Sequence, residues 1–302
     1  MNAHSQWADQ GSSASSGLEA DPRSPAASGL VGRAWRVFAT GFCFTVFGIG
    51  GLLQGLTLFP LLRLLAGSRR RAQPVIRAAL RHNFRLFVGL MRTLGLLTYE
   101  VRGRERLLSQ GQLIVANHPT LIDVVFLLSL VPDATCVVKQ GLLRNPFLRG
   151  PVAWAGYVAN SDSESLVRDC SAALRAGHSL VMFPEGSRTV PGRPMHLKRG
   201  AAQIAIASRS PVLPVVIDCE PLTLTKDSPW YRVPERRPHW TLTVGAPIPD
   251  SLIEASAPPS IAARHLTQHL ASVFARGAQT PEEGAPVSLP TTNAPGIGRA
   301  SL

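Results

Sequence analysis

The stretch VANHPTLIDVV, residues 115–125, places a histidine between an apolar strand-like run and an apolar helix-like run. A strand ending at Ala116 delivers Asn117 and His118 to the carboxyl edge of a sheet, where α/β folds build their sites. Pro119 suits the first turn of a helix over 119–131, since its φ is preset and its missing N–H is not needed there. Asp123 follows His118 by five positions. Inside one ideal helix such residues point ~140° apart, at ~100° per residue, and cannot meet. They meet if His118 sits in the loop before the helix and folds back. Asp123 then fixes the tautomer through one ring nitrogen, and the other is free to take a proton from a hydroxyl. A structural histidine satisfied by a nearby acid fits the same spacing.

The alternation continues outward. Strand-length apolar runs occupy 97–102, 112–116, 134–138, 179–183, 212–217 and 240–245, with helical spacing over 119–131, 163–176 and 197–208. This alternation predicts an α/β sheet with covering helices. The helix at 163 carries a capping box, Ser161 three before Glu164, and Gly177 just past its end.

Before this region lies a different kind of sequence. From Val37 to Leu62 no residue is charged, a run of 26 residues. As a helix it would span about 39 Å at ~1.5 Å per residue, against a bilayer core of ~30 Å. Gly48, Gly50, Gly51 and Gly55 weaken such a helix, and Pro60 is expected to break it. Both a tilted transmembrane helix and a re-entrant helical hairpin fit. Arg33 and Arg36 precede the run; Arg63, Arg69, Arg70, Arg71 and Arg77 come after it. The positive-inside rule then puts the bulk of the chain in the cytoplasm. Over 75–97, Ile76, Leu80, Phe84, Phe87, Met91 and Leu94 make one stripe, with Arg77, Arg81, Arg85 and Arg92 one step around. Such a helix lies in a headgroup layer, or packs on its own domain with a solvated arginine face. Residues 1–30 and 277–302 read as disordered tails. The organisation expected is a membrane-associated helical segment over 31–96 and a catalytic domain over 97–276.

Lys and Arg number 31 against 19 Asp and Glu, a net charge of +12. The excess suits an anionic partner, and its placement beside apolar sequence favours a membrane surface over nucleic acid. Cys43, Cys136, Cys170 and Cys219 are too scattered for a zinc site or a disulfide framework and read as core thiols. No metal is expected.

A second motif, LVMFPEGSRT over 180–189, ends an apolar strand in Phe183-Pro184 and continues it with Glu185, Gly186, Ser187 and Arg188. A charged pair on a permissive backbone can hold an anionic or polyhydroxyl ligand; a turn closed by a Glu–Arg salt bridge is the plainer alternative. Together, NHPTLID and FPEGSRT resemble the motifs of the glycerolipid acyltransferase family, typified by 1-acylglycerol-3-phosphate acyltransferases. His118 and Asp123 match its H-x4-D block, and residues 183–188 match its FPEG[ST]R block. LKRGAAQIAIASRSPVLPVVI, with Lys198, Gly200, Pro211 and Pro214, resembles the segment that comes after this block in members of that family. The resemblance covers about 97–250.

The resemblance implies a central mixed sheet flanked by helices, preceded by N-terminal membrane-associated helices. It implies direct acyl transfer from acyl-CoA or acyl-carrier protein to a lysophospholipid-type acceptor, without a cofactor. His118 would be the base, oriented by Asp123. Residues 185–188, with Lys198, would position the acceptor, and amides near Gly186 would stabilise the oxyanion. The second block departs: GYVANSDSES carries Asn160 where the family has an arginine for the acceptor phosphate. Asparagine keeps the hydrogen bonding and loses the charge. A non-phosphate acceptor, such as an amino-acid-derived or polyene-type lipid, therefore stands as an alternative, as do a thioester or lipid hydrolase and an inactive membrane scaffold. The segment EPLTLTKDSPWYRVPERRPHW, 220–240, with Trp230, Tyr231 and Trp240, would cover the site, meet the membrane, or form a surface loop.

Overall fold

The computed structural model describes residues 29–160, 162–190, 192–253 and 257–277. The predicted tails fall outside these residues except at 29, 30 and 277. The chain opens with α1 (Leu30–Leu53), which passes through a π-helical turn (Gln54–Leu58) into α2 (Phe59–Leu65) and then turns into α3 (Arg69–Thr93). The α/β part comprises β1 (Thr98–Arg102), β2 (Leu113–Ala116), α4 (Asp123–Leu130), β3 (Ala134–Lys139), α5 (Pro146–Ala155), β4 (Val158–Asn160) and α6 (Ser163–Arg175). It ends with β5 (Ser179–Met182), α7 (Gly200–Ser208), β6 (Val212–Glu220), β7 (His239–Val244), α8 (Asp250–Ile253) and α9 (Pro259–Gly277).

The strands form one mixed sheet in the order β1-β7-β6-β2-β5-β3-β4, parallel throughout except for the antiparallel β6–β7 pair. In β2, Leu113, Ile114, Val115 and Ala116 are all buried. Alternate residues serve opposite faces: Ile114 and Ala116 join a core shared with α1, α3 and α4, while Leu113 and Val115 join one shared with α6, α7 and α9. A parallel strand covered on both faces is apolar throughout, which is why this run is readable from sequence.

Three expectations about the first helices change. Pro60 does not break the apolar run: Leu30–Leu65 is continuous over 36 residues, long and apolar enough to cross a membrane. The wider π turn lies just before the proline, where Phe59 N–H bonds Gln54 O, and so adjusts the ladder at the point where an N–H is missing. The hairpin reading is thereby excluded for this run. Second, one face of α1 lies along the protein: Ala39, Thr40, Cys43 and Gly51 are buried, and Gly55 meets Gly150 of α5. Its outer face exposes Trp35, Phe38, Phe42, Val46, Ile49, Leu53 and Leu56, a ridge at steps of three and four. Third, the arginine side of α3 is not simply solvated. Arg81 Nη2 donates to Leu130 O at 2.8 Å and Arg85 Nε to Ser129 O at 3.0 Å, closing the end of α4. Arg77 is buried and its Nε meets Asp133 at 2.6 Å. Burial pushes the Asp133 carboxyl up, but the hydrogen bonds and charges of Arg77 and His178 outweigh it and hold it below its ordinary value.

Other boundaries moved. The cap of α6 is Asp162, whose side chain accepts from Ser165 N; Ser161 lies outside the described residues. Gly177, at φ +87°, ends the helix as expected. Strand β4 and helices α5 and α9 were not predicted. Helix α5 contains Pro146, Gly150 and Pro151, which argue against a helix by propensity, yet Pro146 stands at its start and Asn145 caps it.

The Gly55–Gly150 crossing is testable. A Cβ on Gly150 would lie 2.9 Å from Gly55 Cα. Gly150→Val should destabilise the protein by about 1–3 kcal/mol, as overpacking does, read from denaturant unfolding in detergent. An unchanged midpoint would mean the two segments part freely.

Candidate active site

Register brings the two motifs together. Val115 of β2 stands opposite Met182 of β5, so His118 and Glu185, three residues further along each strand, leave the same sheet edge. Glu185 Oε1 accepts from His118 N at 3.0 Å and from Thr189 Oγ1 at 2.8 Å, while Thr189 N donates to His118 O at 2.7 Å. Glu185 therefore braces the His118 loop and does not form the Glu–Arg turn that the motif suggested. Arg188 Nη1 donates instead to Leu224 O at 2.9 Å and Thr225 O at 2.7 Å. Leu224 O also accepts from Leu121 N at 3.0 Å, so one carbonyl ties both motif loops to the chain after β6.

Helix α4 begins at Asp123 and not at Pro119; the proline belongs to the loop. The reason lies in the Asp123 side chain. Its Oδ2 accepts from Thr120 N at 2.6 Å, and its Oδ1 accepts from the Thr120 hydroxyl. These bonds curl residues 118–122 back over the helix start. His118 consequently folds back, and its Nδ1 lies 2.9 Å from Asp123 Oδ2. The His118 ring stacks on Phe183, with centroids 4.2 Å apart and planes at 25°. A carboxylate on Nδ1 makes that nitrogen the protonated one, and Nε2 keeps its lone pair on the far side of the ring. Such a histidine can accept a proton from a hydroxyl.

The sequence places Asn117 only at the sheet edge, yet this residue fixes where the loop starts. Its side chain donates to Ile217 O at 2.7 Å and accepts from Ile217 N at 2.7 Å. An amide side chain thus continues the β2–β6 ladder for one more rung. Trp240, expected in an insert, is 1% exposed on β7, and its indole reaches Asp123. Trp230 of the same segment packs on Gly41 and Phe44 of α1. Neither contact had a signal at sequence level, because both depend on β7 lying antiparallel beside β6.

His118 lines a cleft of about 630 Å³ that also takes in Asn160, Gly186, Ser187, Arg188 and Lys198. All the sequence-derived candidates except Asp123 and Glu185 therefore line this space; those two stand behind it. Lys139, Arg199 and Lys226 line it as well, with no carboxylate among the lining residues. Asn160 faces Lys139 directly across the β3–β4 pair. Gly186 adopts φ +69°, and a Cβ there would lie 2.9 Å from Lys198 Nζ, so glycine admits the lysine. The Gly186 N–H is itself committed to Phe183 O at 3.1 Å, leaving it unable to serve an oxyanion. Cys136 lines the cleft floor, and burial pushes its thiol up to about 12, with Cys170 beside it adding to the rise. It is therefore protonated and inert at neutral pH. A second, apolar groove of about 820 Å³ runs between α1, α3, α4 and α5 and shares Leu121, Val124, Val138 and Leu142 with the cleft. Among the described residues, no cluster of three or more metal-ligating side chains occurs.

Residues 98–218 match the family model described as Acyltransferase. The 1-acyl-sn-glycerol-3-phosphate acyltransferase of Pseudomonas aeruginosa is 28% identical over 137 residues, 43% of this chain and 53% of that protein. The enzyme of the same description from Saccharomyces cerevisiae is 28% identical over 179 residues, 56% of this chain and 55% of that one. The chain spans about half the length of these curated relatives. The crystal structure of the 1-acyl-sn-glycerophosphate acyltransferase PlsC from Thermotoga maritima superposes with a TM-score of 0.57 at 21% identity, covering 82% of this chain and 95% of that one. At that identity the likeness is one of fold.

The Asn117 rung yields a prediction. Asn117→Ala leaves the Ile217 N–H and C=O unpaired in a buried position and should cost about 2–6 kcal/mol of stability, at ~1–3 kcal/mol for each orphaned group. Chemical denaturation measures it; a loss below ~0.5 kcal/mol would mean water replaces the amide.

Proposed function

The chain belongs to the glycerolipid acyltransferase family, and on that premise we propose that it moves a fatty acyl group from an acyl thioester to the hydroxyl of a lysophospholipid-type acceptor. The observation that carries this reading is the His118–Asp123 contact of 2.9 Å at the cleft. In the reaction, His118 Nε2 takes the acceptor hydroxyl's proton as its oxygen attacks the thioester carbonyl. The carbon–sulfur bond then breaks, and the imidazolium returns the proton to the leaving thiolate. Asp123 holds the ring and balances its positive charge. Glu185 acts from behind the cleft and Arg188 from its wall, each through the loops it braces.

The acceptor is assigned as 1-acylglycerol-3-phosphate. Asn160 lacks the charge a phosphate would want, but Lys139 stands directly opposite it. Lys139, Lys198 and Ser187 converge on the same cleft and suit a phosphate monoester. The adjoining apolar groove suits a fatty chain. The donor is acyl-CoA or acyl-carrier protein, each acidic and matched to the cationic rim.

The membrane is the inner one, with the active part on the cytoplasmic side. The helix from Leu30 to Leu65 is apolar on both faces, one packed on the protein and one exposed. A helix packed on α5 at Gly48, Gly51 and Gly55 and on Trp230 at Gly41 supports lying within one leaflet better than crossing, because crossing would take α5 into the bilayer with it.

The test uses membranes carrying the full chain, radiolabelled palmitoyl-CoA and palmitoyl-carrier protein, and lysophosphatidate competing with a total lipid extract. Label should enter phosphatidate and fall about a thousand-fold or more in His118→Ala, in line with loss of a general base. Label confined to another lipid would overturn the acceptor assignment alone; release of free fatty acid without an acceptor would make the protein a hydrolase. In the same assay Lys139→Ala should raise the KM for lysophosphatidate about ten-fold, the size of one lost charge-assisted bond. An unchanged KM would remove Lys139 from the acceptor site.

A further inference from the structure

Asp123 needs more donors than its own loop supplies. Its side chain has no exposure, and among the described residues its one ion-pair partner is His118. Oδ2 accepts from His118 Nδ1 at 2.9 Å and from Thr120 N at 2.6 Å. Oδ1 accepts from the Thr120 hydroxyl. Its other donor comes from β7: Trp240 Nε1 lies 3.3 Å from Oδ1, and the same N–H reaches Thr120 Oγ1 at 3.2 Å. The indole is 1% exposed and packs on Phe126, with ring centroids 5.7 Å apart. Residue 126 lies one turn along α4 from Asp123, so ring and carboxylate are held by one helix. Across the β6–β7 pair, Trp240 stands opposite Cys219.

We propose that Trp240 is a positioning residue for the acyl transfer: its indole N–H holds Oδ1 of Asp123 so that Oδ2 stays aimed at His118 Nδ1. The inference rests on reading His118 as the base. A carboxylate has one soft torsion, about its Cβ–Cγ bond. With two donors on each oxygen that torsion is fixed. With the indole N–H removed, Oδ1 keeps only the Thr120 hydroxyl, itself a free rotor, and the carboxylate can turn away from the imidazole. The ground-state site would still bind both substrates, because Trp240 does not line the cleft. A ring that merely filled space would show no dependence on its N–H.

Trp240→Phe removes the donor and keeps an aromatic ring. Replacing Trp240 with 3-benzothienylalanine removes it more gently, putting sulfur where the N–H was with the bicyclic shape intact. Both should lower kcat about ten-fold, the scale of one hydrogen bond to a charged group, with the KM for donor and acceptor within about two-fold. In an Asp123→Asn background, Trp240→Phe should cause no further loss, because its effect runs through the carboxylate. A benzothienyl variant with kcat within about two-fold of the unsubstituted chain overturns the inference. So does an equal fall in both backgrounds, which would mark packing alone. Absence of any His118-dependent transfer in the unsubstituted chain overturns the acyl-transfer reading and this inference with it.

Discussion

A carboxylate taken wholly out of water must be met by donors, or the fold loses several kcal/mol to it. Asp123 is such a group, and much of the local architecture comes from meeting it. Thr120 N and its hydroxyl can reach only if residues 118–122 curl back, so the helix starts four residues later than the apolar pattern suggests. The curl brings His118 over the carboxylate. The remaining donor, Trp240, requires β7 to lie beside β6. The loop, the helix start and the strand order are thus constrained together by one buried charge.

The sheet supplies the second constraint. Parallel neighbours β2 and β5 end at one level because Val115 and Met182 are in register. Two motifs separated by 67 positions therefore open on the same edge. The cross-bonds between them, from Glu185 to the His118 N–H and from Thr189 to the His118 carbonyl, need that level ending. A slip of one parallel pairing step would shift one loop by ~7 Å, two residues at ~3.3 Å each, and break both.

Legible in the sequence is whatever depends on neighbours along the chain or on burial of both strand faces. The apolar run LIVA of β2 is of this kind, and so is the condition on His118: helix geometry says that it meets Asp123 only from the loop, and the Thr120 bonds to Asp123 are what put it there. Illegible are the contacts across the sheet. Trp240 follows arginines in a segment that reads as a cover over the site, a membrane contact or a surface loop, yet antiparallel pairing turns it onto Asp123. Helix α5 was hidden by its own glycine and prolines. Gly150 is there because Gly55 approaches it, a reason visible only once both segments are placed. The arginines of α3 misled in the opposite sense: amphipathic spacing suggests a face turned to lipid headgroups or to water, whereas Arg81 and Arg85 end on the last carbonyls of α4.

The same across-sheet logic bears on the missing arginine of the second block. Along the chain, Asn160 is a loss of charge. Across the β3–β4 pair, Lys139 occupies the facing position, and paired residues of parallel strands project from the same face of a sheet. A cation presented from β3 reaches the space that a cation on β4 would have served. Lysine is a compact charge on a flexible stem and does not grip a phosphate with two parallel bonds as arginine does. On the proposed reading, an acceptor site built this way would attract a phosphate without fixing its orientation, and orientation would fall to the adjoining apolar groove.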